Sequence, residues 1–183
     1  TVGWGVDALV TSGYKWLSAH GGVALLALAP DLAHRLPALV GWKGTRHPFA
    51  FDPLTLHLAD DARRFELSTM SYVSAIGLES SIAMLSSLGF ERIDQHARRM
   101  ATYLVDRVAE LGWRPFRPPS DPSAASNIVS LRHADHDPGV TAQRLASESR
   151  IVCGVRAGGL RISLHAYNDG GDVDRLVESL RRL

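Results

Sequence analysis

The chain has 183 residues, of which 45% are hydrophobic, enough for one sizeable core or two small ones. Its formal net charge of +1 gives no electrostatic reason to expect binding to nucleic acid or to an anionic membrane, and no apolar stretch is long enough to span a bilayer. The single cysteine, Cys153, excludes an internal disulfide and a zinc site built from cysteines, and it fits the reducing conditions of the cytoplasm.

The first informative stretch is a lysine between two predicted strands. Residues 6–11 predict one strand, and the continuously apolar residues 22–29 predict another that is buried on both faces. Lys15 lies in the small-residue loop that joins them. Such a loop can exclude water from an ammonium group and so favour the neutral amine that Schiff-base chemistry requires. Ser12 and Tyr14 place hydroxyls on either side, which suit an anion such as phosphate. A plain surface lysine after a strand is the alternative.

Between the second strand and the first long helix, the sequence predicts little regular structure. Residues 31–39 predict a short helix. Residues 41–61 are interrupted by glycine and proline, and Trp42, Phe49 and Phe51 are interspersed among them. A loop of this length in a compact domain is usually functional or forms an interface. Local packing of an ordered loop is the alternative.

A long helix follows this loop. Ile76, Ala83, Met84 and Leu88 recur at helical spacing and predict the buried stripe of a helix that ends near Gly89. The pattern then predicts a helix, two strands, a helix, two strands and a helix, at residues 91–111, 113–116, 126–131, 141–149, 150–155, 160–165 and 172–183. This order is typical of a compact α+β unit, and we expect the boundary before it to fall between residues 87 and 91.

Three stretches, in this order, resemble the class V aminotransferase-like enzymes, which depend on pyridoxal phosphate (PLP) and have fold type I. They are DALVTSGYKWL at residues 7–17, RFELST at residues 64–69 and LRISLHAYN at residues 160–168. The group includes cysteine desulfurases, kynureninases and isopenicillin N epimerase-like proteins. The resemblance implies an α/β fold in which residues 1–88 are the C-terminal part of the large PLP-binding domain and residues 89–183 are the small C-terminal α+β domain. It also implies an upstream half that this sequence lacks.

The same resemblance implies roles for residues around the lysine. Lys15 would hold PLP as a Schiff base and then carry a proton to and from the substrate Cα, with Ser12 and Tyr14 next to the cofactor. Ser68 and Thr69 stand in place of a glycine-threonine pair whose threonine reaches the phosphate of the neighbouring subunit's cofactor. The serine is a departure from that pattern. Capping of the following helix is the alternative for both residues.

Arginines are the candidate ligands of a substrate carboxylate. Arg161 is predicted to point away from the core face of its strand, because Leu160 and Ile162 lie on the other face. The resemblance implies that its guanidinium binds the substrate α-carboxylate, with Arg156 as a second candidate. We expect Arg64 instead to form a structural ion pair with Glu66.

The resemblance favours a homodimeric PLP-dependent enzyme that acts on a small-molecule amino acid by transamination, elimination or epimerisation. A cysteine desulfurase is one alternative, and a non-catalytic fragment or interaction module with the same fold is another. Desulfurases need a cysteine on a mobile loop just before the carboxylate-binding arginine. Here residues 155–160 are few and contain no cysteine, so we expect another reaction. The histidine and aspartate side chains of residues 133–137 do not have the spacing of a usual metal site and predict a plain loop.

Overall fold

The computed structural model describes residues 5–118, 120–123 and 127–183. These residues form two compact units, one ending at Ser87 and the other beginning at Leu88. Two positions of predicted turn and strand, Pro119 and Ser126, lie outside the described residues. Within the described part of the chain, no single helix is long and apolar enough to cross a membrane, although one bent pair of consecutive helices, residues 72–88 and 90–109, passes that test by length and composition.

The first unit contains one hairpin, one long helix and an irregular segment between them. Its elements are β1 (Ala8–Ser12), β2 (Ala24–Leu28), α1 (Pro30–Ala33), three short 3-10 helices (Trp42–Gly44, Pro48–Ala50 and Ala62–Phe65) and α2 (Tyr72–Leu88). The strands β1 and β2 are antiparallel neighbours, with Ala8 opposite Leu28 and Ser12 opposite Ala24. The hairpin therefore presents the predicted lysine loop at the end where β1 leads into β2.

The apolar sequence of β2 predicts a strand that is buried on both faces, but the structure does not bury it in this way. Leu25 and Leu26 are each 42% exposed. Full burial of a strand requires cover on both faces of its sheet, and the sheet that the described residues form here has two strands only. The described residues of this unit therefore leave part of the apolar strand exposed.

The buried face of α2 also differs from the predicted one. Ser74, Leu78, Ser81 and Leu85 are buried, whereas Ile76 of the predicted stripe is 64% exposed. Apolar residues surround most of this helix, so spacing alone does not distinguish its faces. Small serine side chains can be buried there because their hydroxyls find carbonyl acceptors in the lysine loop.

The second unit has the predicted order of helices and strands. It consists of α3 (Phe90–Ala109), β3 (Arg114–Pro115), β4 (Ile128–Arg132), α4 (Pro138–Ser149), β5 (Gly154–Arg156), β6 (Gly159–Ser163) and α5 (Gly170–Arg181). Its four strands form an antiparallel sheet in the order β3-β4-β6-β5. The core lies between one face of this sheet and the helices, and Trp113, which is 1% exposed, is its largest fully buried side chain. The opposite face of the sheet carries Arg161.

Candidate active site

The lysine lies in a tight turn that begins at a closely packed glycine. Gly13 follows β1 and is buried; its N–H donates to Val23 O at 3.0 Å, and its carbonyl accepts from Ala19 N at 2.9 Å. A Cβ at this position would lie 3.0 Å from Val23 Cγ1 and 3.3 Å from Leu78 Cδ1. A side chain here would need both neighbours to shift by a few tenths of an ångström, so the glycine lets the turn lie directly against α2.

Two serines of α2 form hydrogen bonds to the loop on both sides of this turn. The hydroxyl of Ser81 donates to Leu17 O, and the hydroxyl of Ser74 donates to Gly21 O at 2.6 Å. His20 Nδ1 lies 3.2 Å from Ser74 Oγ. Both serines are buried, and each satisfies a carbonyl that the turn leaves unpaired. The role of these two serines was not predicted from the sequence. Serines spaced by seven residues lie on one face of a helix, and this spacing was a signal for a shared contact.

Lys15 stands at the exposed side of this fixed turn. Its Nζ lies 5.2 Å from the centroid of the Tyr14 ring, which is itself exposed. The exclusion of water predicted for Lys15 is therefore not supplied by the described residues. Within that part of the chain, the hydroxyls of Ser12 and Tyr14 have no protein hydrogen-bond partner, so both can donate to a ligand.

The sequence contains only two lysines, and their surroundings differ. The ammonium group of Lys43 lies 4.9 Å from the Trp42 ring centroid and 4.7 Å from that of Phe49. Lys43 is thus held over two aromatic rings, whereas the ammonium group of Lys15 lies near one, that of Tyr14. The count of lysines was available from the sequence, and it leaves Lys43 as the one other lysine among these 183 residues.

The loop that carries the aromatic residues packs against the segment that contains Ser68 and Thr69. A Cβ on Gly41 would lie 1.8 Å from Leu67 O, so the two backbones touch. Trp42 Nε1 donates to Ser68 Oγ at 3.3 Å. The serine that replaces the expected glycine is therefore accommodated by a hydrogen bond to the indole. Thr69, the next residue, is exposed.

For this segment, one structural expectation and one alternative are wrong. Arg64 does not pair with Glu66 in the described structure; its Nε donates to Ala59 O at 2.8 Å, and its Nη1 donates to His34 O. Two separate segments, at residues 34–35 and at Ala59, leave carbonyl oxygens in reach, and a guanidinium has five donors with which to satisfy them. Nor do Ser68 and Thr69 cap the following helix, because α2 begins at Tyr72 and the Oγ that accepts from Ser74 N–H belongs to Ser71.

Arg161 occupies the face of its strand that the sequence predicts. Leu160 and Ile162 are buried in the core, and Arg161 points to the opposite face of the sheet. It stands opposite Ser130 on β4 and Gly154 on β5. A Cβ on Gly154 would lie 3.6 Å from Arg161 Nε, so the guanidinium extends across the glycine. The Nε atom is buried and has no hydrogen-bond partner among the described residues, which is a position that an anionic ligand could fill.

The cysteine is placed unfavourably for attack on a substrate. The sequence predicts Cys153 within the strand at residues 150–155, but it lies just before β5; it is half-buried, and burial raises the pKa of its thiol. The strand is shorter than predicted because Arg150 adopts a left-handed conformation at the end of α4. A two-residue turn, Ala157 and Gly158, joins β5 to β6. A turn this short cannot act as a mobile loop that carries a thiol.

The histidines of residues 133–137 are engaged in structure. His133 Nε2 donates to Leu111 O at 3.1 Å, and its Nδ1 accepts from Asp135 N at 3.0 Å. His136 stacks on the ring of buried Trp113 with a centroid separation of 5.8 Å. Both ring nitrogens of His133 are used, so its imidazole has no lone pair left for a metal ion.

Comparison with known proteins gives a consistent result. The model of the class V aminotransferase family matches residues 2–176. An uncharacterised aminotransferase of Schizosaccharomyces pombe is 28% identical over 184 residues, which cover 97% of this chain and 45% of the relative. A kynureninase of Bacillus cereus is 29% identical over 189 residues, which cover 98% of this chain and 43% of that enzyme. The chain thus spans a little under half the length of these relatives.

A solved structure supports the same fold. The apo cysteine desulfurase of Thermococcus onnurineus superposes with a TM-score of 0.83 at 21% identity, covering 97% of this chain and 46% of the desulfurase. At this identity the likeness concerns the fold, and its reaction does not transfer with it.

Proposed function

Since this chain belongs to the class V aminotransferase family, we propose that the protein containing it is a pyridoxal-phosphate-dependent enzyme that acts on an amino acid through Lys15. The observation that carries the proposal is the fixed turn between Gly13 and Leu17. It presents one of the chain's two lysines, while the other is held over aromatic rings. The reaction we propose is a transamination, an elimination or an epimerisation.

The described residues fit the cofactor. An aldehyde requires an accessible amine, which Lys15 offers, and a phosphate requires donors such as the hydroxyls of Ser12 and Tyr14. When bound, pyridoxal phosphate supplies an electron sink that stabilises negative charge at the substrate Cα. Lys15 would hold the cofactor covalently and, once displaced by the substrate amine, would take and return the proton at Cα. The rigid anchoring of its turn to α2 would keep Nζ close to that atom.

Substrate binding would depend on Arg161. A guanidinium binds a carboxylate through two parallel hydrogen bonds, which fix the orientation of the substrate as well as its charge. The buried and unpartnered Nε of Arg161 supports this role. We propose that it binds the α-carboxylate of the amino acid.

We also propose that the enzyme is a homodimer and that the aromatic loop lies at its interface. Phe49 and Phe51 are 70% and 67% exposed, and both rings pack on Trp42, with centroid separations of 5.9 and 5.5 Å. Exposed aromatic clusters of this kind are enriched in the centres of protein interfaces. Because Trp42 is hydrogen-bonded to Ser68, the same interface would bring Thr69 towards the phosphate of a partner's cofactor.

Cysteine desulfurase is one alternative. Sequence similarity supports it, since a probable desulfurase of Staphylococcus epidermidis is 29% identical over 140 residues. The position of Cys153 and the two-residue turn before β6 argue against it. An interaction module that has kept the fold without the chemistry is the other alternative.

Covalent labelling separates a PLP enzyme from such a module. The protein that contains this chain is incubated with pyridoxal phosphate, reduced with borohydride, digested and analysed by mass spectrometry. We expect the phosphopyridoxyl label on Lys15, its loss in Lys15→Ala and its retention in the matched control Lys43→Ala. A label on Lys43, or equal labelling of both lysines, would contradict the assignment.

A further inference from the structure

Three arginines share the outer face of the second unit's sheet. Along β4 and β6, alternate residues such as Leu131 and Leu160 are buried in the core. The residues between them lie on the opposite face, and these include Arg132 and Arg161. On β5, Gly154 stands opposite Arg161, and Arg156, two residues further along, is on the same face.

The register brings these arginines close together. Arg161 faces Ser130 on β4 and Gly154 on β5. Arg132 lies two residues beyond Ser130, and Arg156 lies two residues beyond Gly154. Diagonal neighbours of this kind are about 7–8 Å apart at Cα, within reach of long side chains. Between Arg132 and Arg156 stands Gly159, which has no side chain, and the hydroxyl of Ser130 lies over it.

The turn between β5 and β6 directs one of these side chains towards another. Ala157 and Gly158 both have positive φ, at 48° and 70°. Alanine is strained in this conformation, and such strain persists where the surrounding structure imposes it. The Ala157 carbonyl accepts a hydrogen bond from Arg132 Nη2 at 2.8 Å. The guanidinium of Arg132 is thereby drawn across the sheet to the end of β5, where Arg156 lies.

The strands of this sheet carry no acidic side chain that could balance these charges. Within the described part of the chain, none of the three arginines forms an ion pair, whereas Arg182, which follows α5, pairs with Glu178 at 3.1 Å. Guanidinium groups gathered on one face repel one another, and an anion bound between them removes that repulsion.

We propose that Arg132 and Arg156 form a subsite for a second carboxylate of the substrate, so that the amino acid on which the enzyme acts has an acidic side chain. This inference rests on the proposed function, in which Arg161 binds the α-carboxylate. A dicarboxylic amino acid held by Arg161 would extend its distal carboxylate towards the pair formed by Arg132 and Arg156. Charge-assisted hydrogen bonds from the two guanidinium groups would then select it over an amino acid with a neutral side chain.

The subsite can be tested without turnover. Binding of glutarate and of butyrate, which has one carboxylate fewer, is measured by isothermal titration calorimetry on the protein that contains this chain. We expect glutarate to bind at least about tenfold more tightly, as one charge-assisted hydrogen bond would give. Arg156→Ala is the main variant, because the only side-chain hydrogen bond of Arg156 among the described residues goes to the neighbouring Val155 O. Arg132→Gln is the second variant, and the ion-paired Arg182→Ala is the matched control.

The outcomes separate this inference from the proposed function. Loss of the preference for glutarate in Arg156→Ala or Arg132→Gln, with the preference kept in Arg182→Ala, would support the subsite. Equal binding of the two acids by the unmodified protein, or an unchanged preference in both variants, would overturn it. If Lys15 failed to take the borohydride-trapped label while the preference for glutarate persisted, the enzyme assignment would fall and the anion subsite would stand. With active enzyme, KM for a dicarboxylic amino acid should rise in the variants while kcat changes little.

Discussion

The hydroxyl of Ser81 on α2 donates a hydrogen bond to the main-chain carbonyl of Leu17, two residues beyond Lys15. Ser81 is buried, so this bond satisfies a carbonyl that would otherwise lose its contact with water. The position of the lysine turn therefore depends on a helix that lies more than sixty residues further along the chain. This dependence gives the first prediction.

Replacing Ser81 with alanine should loosen the lysine turn. We expect the free energy of unfolding to fall by about 0.5–1.5 kcal/mol, the usual contribution of one hydrogen bond. Urea denaturation followed by circular dichroism measures this change. The matched control is Ser87→Ala, which removes a hydroxyl from the same helix at an exposed position where it bonds only to Met84 O. Equal effects of the two substitutions would show that the bond to Leu17 is unimportant.

Gly13→Ala should destabilise the same turn by overpacking. The added methyl group would meet Val23 Cγ1 at 3.0 Å and Leu78 Cδ1 at 3.3 Å, and insertions of this kind typically cost about 1–3 kcal/mol. We expect a lower thermal midpoint and weaker covalent labelling of Lys15. Gly21→Ala is the control, because a Cβ there would have no atom within 4 Å. A variant at Gly13 with unchanged stability would mean that the loop moves easily away from α2.

The local structure of this region could be predicted from the sequence better than its packing. The glycine, the lysine and the flanking strands could be recognised locally, because turn residues and apolar runs act over a few positions. The buried face of α2 could not, since Ile76 and Leu78 are equally apolar and only the partners of a helix decide which side is covered. The contacts of Arg64 could not be predicted either. Its acceptors are backbone carbonyls, such as Ala59 O, that a sequence pattern does not reveal.

The homodimer proposed from the aromatic loop predicts a change in association. Phe49→Ser combined with Phe51→Ser removes two exposed rings, and aromatic side chains in the centre of an interface can each contribute about 2 kcal/mol to binding. We expect sedimentation velocity to show dissociation of the double variant at concentrations where the unmodified protein is dimeric. Val152→Ser, which alters a highly exposed residue of the other unit, should leave association unchanged. An active monomer of the unmodified protein would refute the proposed interface.

The last prediction concerns the thiol. Burial raises the pKa of the Cys153 thiol, so less of it is ionised at neutral pH than in a free cysteine. The thiolate is the nucleophile, and its ionised fraction increases only as the pH approaches the raised pKa. Alkylation by iodoacetamide at pH 7 should therefore be slower in the folded protein than in the same protein in urea, and the difference should narrow as the pH rises.

The same argument predicts how the enzyme treats cysteine as a substrate. A desulfurase must bring a reactive thiolate to the substrate sulfur, and Cys153 combines partial burial with a position before β5, where the following turn has two residues. We expect little sulfide release from cysteine in the presence of a reductant, and the same low rate in Cys153→Ser. Because serine is close to cysteine in size, the substitution removes the thiol while changing the packing little. Rapid sulfide release that Cys153→Ser abolishes would make cysteine desulfurase the better assignment, since no other thiol in these 183 residues could carry the sulfur.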